Sequence, residues 1–182
     1  IITAPSGSGK TTLVKRLLGA YPALTFSISA CTRAPRPGES HAKDYYFFNE
    51  EEFKNLIKQD AFVEWEMVYT GKYYGTLKSE VERIWKEGKA PLVDIDVHGA
   101  IAIQQKYPRN SLSIFIQAPS FDVLRQRLET RNTETPETLQ ERLDKARYEL
   151  TFASQFDRIV INDDLALATE GLVETVNEFL HA

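Results

Sequence analysis

The chain has 182 residues, a formal net charge of −4, and ordinary fractions of hydrophobic and charged residues, 42% and 26%. These values are typical of a globular protein with one well-buried core, and the negative charge argues against a general nucleic-acid binder. No segment approaches the roughly 18 apolar residues that a membrane span needs. The single cysteine, Cys31, cannot form an internal disulfide, which is typical of a reducing compartment. We therefore expect a cytoplasmic protein without nucleic-acid or membrane partners, and no obligate protein partner is evident.

The chain opens inside a predicted strand over residues 1–3, so we expect the natural start to lie several residues upstream. A loop of small residues follows this strand and leads into an amphipathic helix, which is predicted from about residue 9 to residue 20. The loop sequence is Ala4-Pro5-Ser6-Gly7-Ser8-Gly9-Lys10-Thr11-Thr12.

This loop fits the phosphate-binding pattern G-x-x-x-x-G-K-[ST], with Ala4 in place of the first glycine. Small residues allow successive backbone N–H groups to curl around a polyphosphate at the positive end of the helix dipole. Lys10 is expected to reach the β- and γ-phosphates, and the Thr11 hydroxyl to ligate Mg²⁺. The alternative is a turn that caps the helix, with Lys10 merely solvated.

Residues 32–78 interrupt the alternation of strands and helices that prevails elsewhere. The segment begins with the proline-rich stretch 33–38 and continues with aromatic, strand-like runs at 45–48 and 62–65. Asn49 is expected to cap a short helix between these runs, with Glu52 completing a capping box. We predict an inserted lobe of mixed strands beside the core. The large aromatic residues expected to pack in the core or the lobe are Phe47, Phe53, Trp65 and Trp85.

Strands and helices alternate again in the second half of the chain, which predicts an α/β fold with a parallel sheet and helices on both faces. Ser120 is expected to cap one of the helices, and Pro136 to occupy the first position of the next. The predicted strands are 92–96, 112–116 and 158–161, and the predicted helices are about 98–106, 120–131, 136–153 and 164–180.

Two carboxylates, Asp94 and Asp96, end the predicted strand 92–96. They should emerge at the carboxyl edge of the sheet, where ligands of open α/β sheets bind. One acid can orient Mg²⁺ through water, and the other, on the opposite face, can contact a second substrate. The alternative is that such an aspartate caps the helix that begins near Val97.

Arginines cluster in two segments, with Arg33 and Arg36 in the proline-rich loop and Arg127, Arg131 and Arg142 in a later excursion. Guanidinium groups bind phosphate oxygens in pairs and stay charged at every relevant pH. Phosphoryl transfer requires such groups because catalysis depends on positioning and on neutralisation of spreading charge. Solvated surface arginines are the alternative.

Several short motifs occur after the phosphate-binding loop in an order that, taken together, resembles the guanylate kinase family over nearly the whole chain. They are Arg33-x-x-Arg36, Lys43-Asp44-Tyr45, Phe62-Val63-Glu64-Trp65, Tyr73-Tyr74-Gly75-Thr76, Asp94-Ile95-Asp96 and Asn162-Asp163-Asp164. The resemblance implies a P-loop NTPase-type three-layer α/β fold with a core, a GMP-binding lobe and a helical lid. We assign the core to residues 1–31, 79–121 and 154–182, the lobe to 32–78 and the lid to 122–153.

The resemblance also implies site residues. Those expected around the transferred phosphoryl group are Lys10, Arg36, Arg131 and Arg142. ATP would be bound by the loop 4–12, with Arg127 and Asn162 beside the adenine. The residues expected to hold GMP are Ser29, Arg33, Arg36, Tyr45, Glu64, Tyr74, Thr76 and Asp96. The metal ligands would be Thr11 and, through water, Asp94.

The residue types agree with guanine selection. Guanine presents N1–H and N2–H₂ as neighbouring donors that one ionised carboxylate, Glu64, can accept together, whereas adenine lacks N1–H. Ser29 and Thr76 can donate to guanine O6. We therefore expect Mg²⁺-dependent transfer from ATP to GMP, and the use of dGMP stays open because no residue is clearly aimed at a ribose hydroxyl.

Three alternatives stand beside this interpretation. Glu64 could be a solvent-facing acid on an edge strand. The chain could be a non-catalytic peptide-binding module of the same fold, although such domains generally lack the intact loop and the arginine set. It could also phosphorylate a sugar phosphate, which would not require a complement to the guanine edge.

Overall fold

A computed structural model describes residues 1–130 and 136–181, which fold as two compact units. Unit 1 comprises Ile1–Pro22 and Ile95–Ala182, and unit 2 comprises Ala23–Asp94. No helix among the described residues combines the length and the apolar character that crossing a membrane would require.

The described elements follow one another in a regular order. They are β1 (Ile2–Thr3), α1 (Lys10–Ala20), β2 (Leu24–Phe26), β3 (Ala30–Cys31), β4 (Tyr46–Phe47), α2 (Glu50–Lys58), β5 (Phe62–Tyr69), β6 (Lys72–Leu77), α3 (Lys78–Lys86), β7 (Ala90–Leu92), α4 (Val97–Lys106), β8 (Ile114–Gln117), α5 (Phe121–Thr130), α6 (Pro136–Leu150), a 3₁₀ turn (Ala153–Gln155), β9 (Arg158–Ile161) and α7 (Leu165–Leu180).

Unit 1 contains a parallel sheet in the order β1-β8-β9. The central strand β8 begins with an apolar run, in which Ile114, Phe115 and Ile116 are each at most 1% exposed. Such a run is typical of a parallel strand covered on both faces. α1 contacts α7, and α4 contacts β1. These contacts confirm the predicted α/β fold with a parallel sheet.

Helices α5 and α6 pack through a small apolar cluster. Its buried members are Ala118, Leu124, Leu128, Leu143 and Ala146. The Ser120 hydroxyl accepts a hydrogen bond from Val123 N at 3.2 Å, which confirms the predicted cap of α5. The two helices lie within the predicted ranges, 120–131 and 136–153, but α6 ends three residues early, at Leu150.

Unit 2 contains a parallel pair, β2 and β7, and a mixed sheet in the order β4-β3-β6-β5. β3 runs parallel to β4 and antiparallel to β6. Phe53 of α2 stacks on Phe62 of β5 with ring centroids 4.5 Å apart. Asn49 caps α2 and forms the predicted capping box with Glu52. The predicted mixed strands and the capped helix are thus confirmed.

The predicted strand 92–96 is wrong in its extent, because regular pairing stops at Leu92. Its partner β2 ends at Phe26, and Ile28 N donates instead to the Glu80 carboxylate at 3.1 Å. Beyond Leu92 the chain contacts β1 instead, where Ile95 N donates to Ile2 O at 3.3 Å.

The expected packing of the tryptophans is also wrong. Trp65 is 45% exposed and Trp85 57% exposed, whereas Phe53 is fully buried as expected.

Candidate functional site

The glycine-rich loop lies between β1 and α1, and α1 is anchored beneath it by the buried residues Leu13, Val14 and Leu17. Gly9 is the N-cap of the helix and has φ of 87°, in the left-handed region. Ser8 N donates to Pro5 O at 3.2 Å, which closes the turn before the cap. The backbone N–H groups at the start of α1 therefore point out of the loop, where they can bind an anion.

Two glycines of the loop are required by its surroundings. A Cβ at Gly9 would collide with Asn162 Nδ2, and one at Gly7, whose φ is 90°, would lie 3.1 Å from Leu128 Cγ. The first position of the motif, Ala4, does not require glycine, because its φ is not positive. Among the residues described, the non-glycine residues with positive φ are only Ala42 and Asp60. Ala4 is therefore compatible with the turn.

Asn162 supports the loop from the end of β9. Its side chain is 5% exposed, and its Nδ2 donates to Ser8 O at 2.8 Å. Its backbone oxygen accepts a hydrogen bond from Arg127 Nη2 at 2.9 Å, which holds Arg127 against the loop. A cleft of about 620 Å³ opens here. Its lining includes Gly7, Gly9, Thr12, Gln126, Arg127 and Asn162.

The structure brings another predicted residue to the loop. Arg142 Nη1, on α6, donates to Ser6 Oγ at 3.3 Å. Lys10 and Thr11 occupy the first turn of α1, as the motif requires. Arg131 lies outside the residues that the structure describes.

A buried carboxylate that the sequence analysis did not single out, Glu149, lies within the electrostatic reach of Lys10. It is 7% exposed, and burial raises the pKa of its carboxyl above the ordinary value. Lys145, Lys10 and His98 oppose this rise, and the Asp96 charge adds to it. Lys145 Nζ lies 3.9 Å from Glu149 Oε1. The dense charge of the predicted helix 136–153 was the signal available, but the pattern alone could not show which acid faces inward.

Replacing Glu149 with glutamine is expected to raise Tm relative to the wild type at pH 8, and this gain should shrink toward pH 4. The raised pKa means that the folded protein binds the Glu149 proton more tightly than the unfolded chain does, so this carboxyl costs stability as pH rises through its folded pKa. The glutamine variant does not incur that cost. Thermal melts at several pH values, with the exposed Glu141→Gln as the matched control on α6, measure it. A difference in Tm that does not change with pH would contradict the assignment.

The two predicted aspartates lie in different surroundings. Asp96 Oδ1 caps α4 and accepts from His98 N at 2.8 Å and Gly99 N at 3.0 Å, as the capping alternative predicted. Asp94 is the last residue of unit 2 and is half-buried. The cap uses only Oδ1 of Asp96, so it is compatible with a ligand contact through the other oxygen.

In unit 2 the proline-rich loop holds Arg33 in a fixed orientation. Arg33 Nη1 and Nη2 donate to the two Glu39 oxygens at 2.6 and 2.8 Å, and its guanidinium lies 4.7 Å from the Tyr45 ring centroid. The hydrogen bonds from Arg33 and from Arg36 N lower the pKa of the Glu39 carboxyl to about 2. Glu39 therefore stays ionised, and its two hydrogen bonds with Arg33 persist, at all pH values near neutrality. Sequence analysis missed Glu39, although it is close to both arginines in the chain.

Tyr45 and Tyr74, both predicted to contact a phosphate, are brought together by the mixed sheet. Their ring centroids are 6.4 Å apart in an edge-to-face arrangement. Because Arg33 lies over Tyr45, the guanidinium and the two phenol rings form one group. Arg36 has an exposed side chain at the start of this loop region.

Glu64 and Thr76 are cross-strand partners in the β5–β6 hairpin. Glu64 is 9% exposed and Thr76 is fully buried, so the alternative of a solvent-facing acid is wrong. Thr76 Oγ1 has no hydrogen-bond partner within the described part of the chain. Tyr74 precedes Thr76 by two residues and so lies on the same face of the hairpin. Three of the predicted residues thus form one polar, largely buried face.

A shift of pairing register creates this face. Phe62 pairs with Leu77, but Glu64 pairs with Thr76, so the register changes by one residue between them. Partners in a ladder share a face, and successive residues alternate. Phe62 and Leu77 therefore lie on the face that packs with Phe53, and Glu64 on the opposite one.

A glycine loop that joins a parallel strand to a helix, with a lysine and a threonine in the first helical turn, defines a P-loop nucleotide-binding protein. The family model for guanylate kinase matches residues 1–179. The chain belongs to the guanylate kinase family.

Curated relatives and solved structures agree with this family. Guanylate kinases from Porphyromonas gingivalis strain W83 and Bacteroides fragilis strain YCH46 are 48% and 46% identical, over 99% of this chain and 96% and 88% of theirs. The crystal structure of guanylate kinase from Anaplasma phagocytophilum has a TM-score of 0.75 at 29% identity, and the match covers 98% of this chain and 84% of that one. A shikimate kinase from Bacteroides thetaiotaomicron shares the fold, with a TM-score of 0.52 at 17% identity, over 100% of this chain and 96% of that one.

Proposed function

We propose that this chain carries out the reaction of its family, ATP-dependent phosphorylation of GMP to GDP, with the donor nucleotide in the loop of unit 1 and the acceptor base on the polar face of unit 2. The buried Glu64 carboxylate opposite Thr76 is the observation that most strongly supports the acceptor assignment. Thr76 Oγ1 is buried without a hydrogen-bond partner in the described part of the chain, and such burial is costly unless a ligand completes the bonding.

The triphosphate of ATP is bound by the N–H groups of the loop 4–12, with Lys10 on the β- and γ-phosphates. The cleft of about 620 Å³ beside Arg127 and Gln126 has room for the base and ribose. Asn162, whose Nδ2 donates to Ser8 O, supports the loop and lines the same cleft beside the adenine. Arg142, already on Ser6, and Arg131 from the adjoining segment neutralise charge on the transferred group.

The GMP phosphate is bound by Arg33, Arg36, Tyr45 and Tyr74. Glu39 fixes the orientation of Arg33, and Nη1 also donates to Ala34 O at 3.1 Å, so the donors directed to a phosphate are on Nε and Nη2. The guanine base lies against Glu64 and Thr76, with Ser29 of the same unit beside it. Glu64 accepts from N1–H and N2–H₂ together, and the Thr76 hydroxyl donates to O6.

The reaction requires a divalent cation, and we assign Mg²⁺, which neutralises charge on the transferred phosphoryl group when bound. The Thr11 hydroxyl and the Asp94 carboxylate, the residues that the resemblance assigns to the metal, are both hard oxygen donors of the type that Mg²⁺ prefers. No group of three or more histidine, cysteine or acidic side chains within residues 1–130 and 136–181 is placed to hold a metal by itself. A cation held mainly by substrate phosphates and water needs no such group.

An oxygen of the GMP phosphate attacks the γ-phosphorus of ATP. The new oxygen–phosphorus bond forms as the bond to the β–γ bridging oxygen breaks, and that electron pair stays on the β-phosphate of ADP. The attacking oxygen is already ionised at neutral pH, so no protein base is required. The role of the chain is to align the two nucleotides and to exclude water. The lone cysteine and the nucleotide substrates make the cytoplasm the proposed location.

A panel of nucleoside monophosphates in a coupled ADP-release assay tests the proposal. GMP should support rapid ATP consumption, and AMP, CMP and UMP should react at least about 10³-fold more slowly, since none of their bases presents the two neighbouring donors, N1–H and N2–H₂, that a buried carboxylate accepts together. A parallel reaction with dGMP decides whether the ribose hydroxyl matters. Comparable rates with AMP and GMP would overturn the guanine assignment.

A further inference from the structure

Unit 2 contains a second buried carboxylate, that of Glu80, to which no role in binding or catalysis has been assigned above. Glu80, in the first turn of α3, has a fully buried side chain that accepts four hydrogen bonds. Oε1 accepts from Ile28 N at 3.1 Å and from Arg83 Nη2 at 2.8 Å. Oε2 accepts from the Tyr46 hydroxyl at 2.8 Å and from Arg83 Nε at 3.0 Å. The carboxylate is thus fully bonded, and its donors come from three different parts of the unit.

Two of these donors are chain neighbours of residues assigned to GMP. Ile28 precedes Ser29, and Tyr46 follows Tyr45. Tyr46 N also donates to Ser29 O at 2.9 Å. The bonds therefore form a closed circuit from Glu80 to Ile28, through Ser29 to Tyr46, and back to Glu80. This circuit fixes the backbone on both sides of the acceptor residues.

The circuit is better suited to positioning than to stability. A buried ion pair stabilises a fold little compared with apolar packing of the same volume, because both charges lose their hydration. It does hold its partners at defined distances, and a displacement of about 1 Å at a binding site costs much of its affinity. The helix dipole at the start of α3 further favours a carboxylate at this position.

We propose that Glu80 is a positioning residue for the acceptor nucleotide, because it ties the Ile28–Ser29 segment to β4 and so sets where Ser29 and Tyr45 meet GMP. The assignment rests on the proposed function, since it presumes that GMP binds to unit 2. Glu80 acts through its neighbours and does not itself contact the nucleotide.

Glu80→Gln is the decisive variant. The amide keeps an oxygen for one pair of donors but presents N–H₂ to the other pair, so the circuit opens. We expect Kd and KM for GMP to rise about ten-fold, with KM for ATP and kcat within about two-fold, because misplaced ligands weaken ground state and transition state alike. A merely structural defect would instead lower the active fraction and the apparent kcat at unchanged KM. Calorimetric titration with GMP and steady-state kinetics with each substrate separate the two cases.

Two further variants make the test strict. Glu87→Gln removes the other carboxylate partner of Arg83, 2.6 Å away, and should change neither KM. Tyr46→Phe removes only the hydroxyl and should raise KM for GMP about three-fold, in the same direction as Glu80→Gln. It decides the question if Glu80→Gln fails to fold.

These experiments distinguish a failure of the proposed function from a failure of the role assigned to Glu80. A wild-type enzyme that consumes no ATP in the presence of GMP would refute the proposed function. An active wild type, together with Glu80→Gln or Tyr46→Phe variants that bind GMP as tightly as it does, would refute the role of Glu80 alone.

Discussion

Replacing Lys10 with alanine is expected to lower kcat about 10³-fold, with the affinity for GMP nearly unchanged. In the proposed function, the ammonium group of Lys10 at the start of α1 binds the phosphates, where charge increases most as the γ-phosphoryl group leaves ADP. Its loss therefore removes stabilisation of the transition state rather than binding of the acceptor. Steady-state kinetics and GMP titration by calorimetry on the same preparation give both quantities.

Lys15→Ala is the matched control, because Lys15 lies on the same helix and is exposed. Lys15→Ala should retain wild-type kcat. That result would show that the loss of one positive charge from α1 does not by itself explain the lower kcat of Lys10→Ala. A Lys10→Ala variant with more than about a tenth of the wild-type kcat would contradict the assignment of Lys10 to the transferred phosphate.

The glycine loop could be predicted from sequence because its structure is determined by neighbours in the chain. Small residues, a lysine and a following amphipathic stretch specify a helix N-terminus that binds phosphate. The capping box at Asn49 is equally local, and the structure confirms it. Motifs of this kind carry their own geometry within a few residues.

The supporting carboxylates could not be predicted, because their partners are distant in the chain. Glu80 accepts from residues 52 and 34 positions away, and Glu149 is within the electrostatic influence of Lys10 on another helix. In the sequence, each of these acids also fits a solvent-exposed helix face, which is the ordinary interpretation of charged residues along a helix. Only the fold distinguishes a buried acid from an exposed one.

The run Phe62-Val63-Glu64-Trp65 shows a further limit. Simple alternation of side chains along a strand would place Phe62 and Glu64 on one face of the sheet and Trp65 on the opposite face. The register shift instead places Glu64 on the polar face with Thr76, and Trp65 pairs with Gly75 at 45% exposure. Gly75 is required there, because a Cβ would lie 2.8 Å from Glu64 O. A shift of one residue in the ladder has no reliable sequence signal.

Replacing Glu64 with alanine is expected to lower kcat/KM for GMP about 10³-fold and to narrow the preference for GMP over AMP. In the proposed function, the carboxylate accepts two neighbouring donors of guanine, and Glu64 is only 9% exposed, so hydrogen bonds to its ionised group are strong. Adenine gains from the same change, because its N1 acceptor no longer faces a buried negative charge. Kinetics with both nucleotides and calorimetric titration with GMP measure the two effects.

Glu51→Ala is a suitable control for the loss of one negative charge, since Glu51 is an exposed residue of α2 in the same unit. It should leave both kcat/KM values unchanged. The Glu64→Ala variant also separates recognition from catalysis, because a carboxylate that only reads the base should raise KM far more than it lowers kcat at saturating GMP. GMP binding that is as tight in Glu64→Ala as in the wild type would mean that the buried pair Glu64 and Thr76 serves the hairpin and not the base.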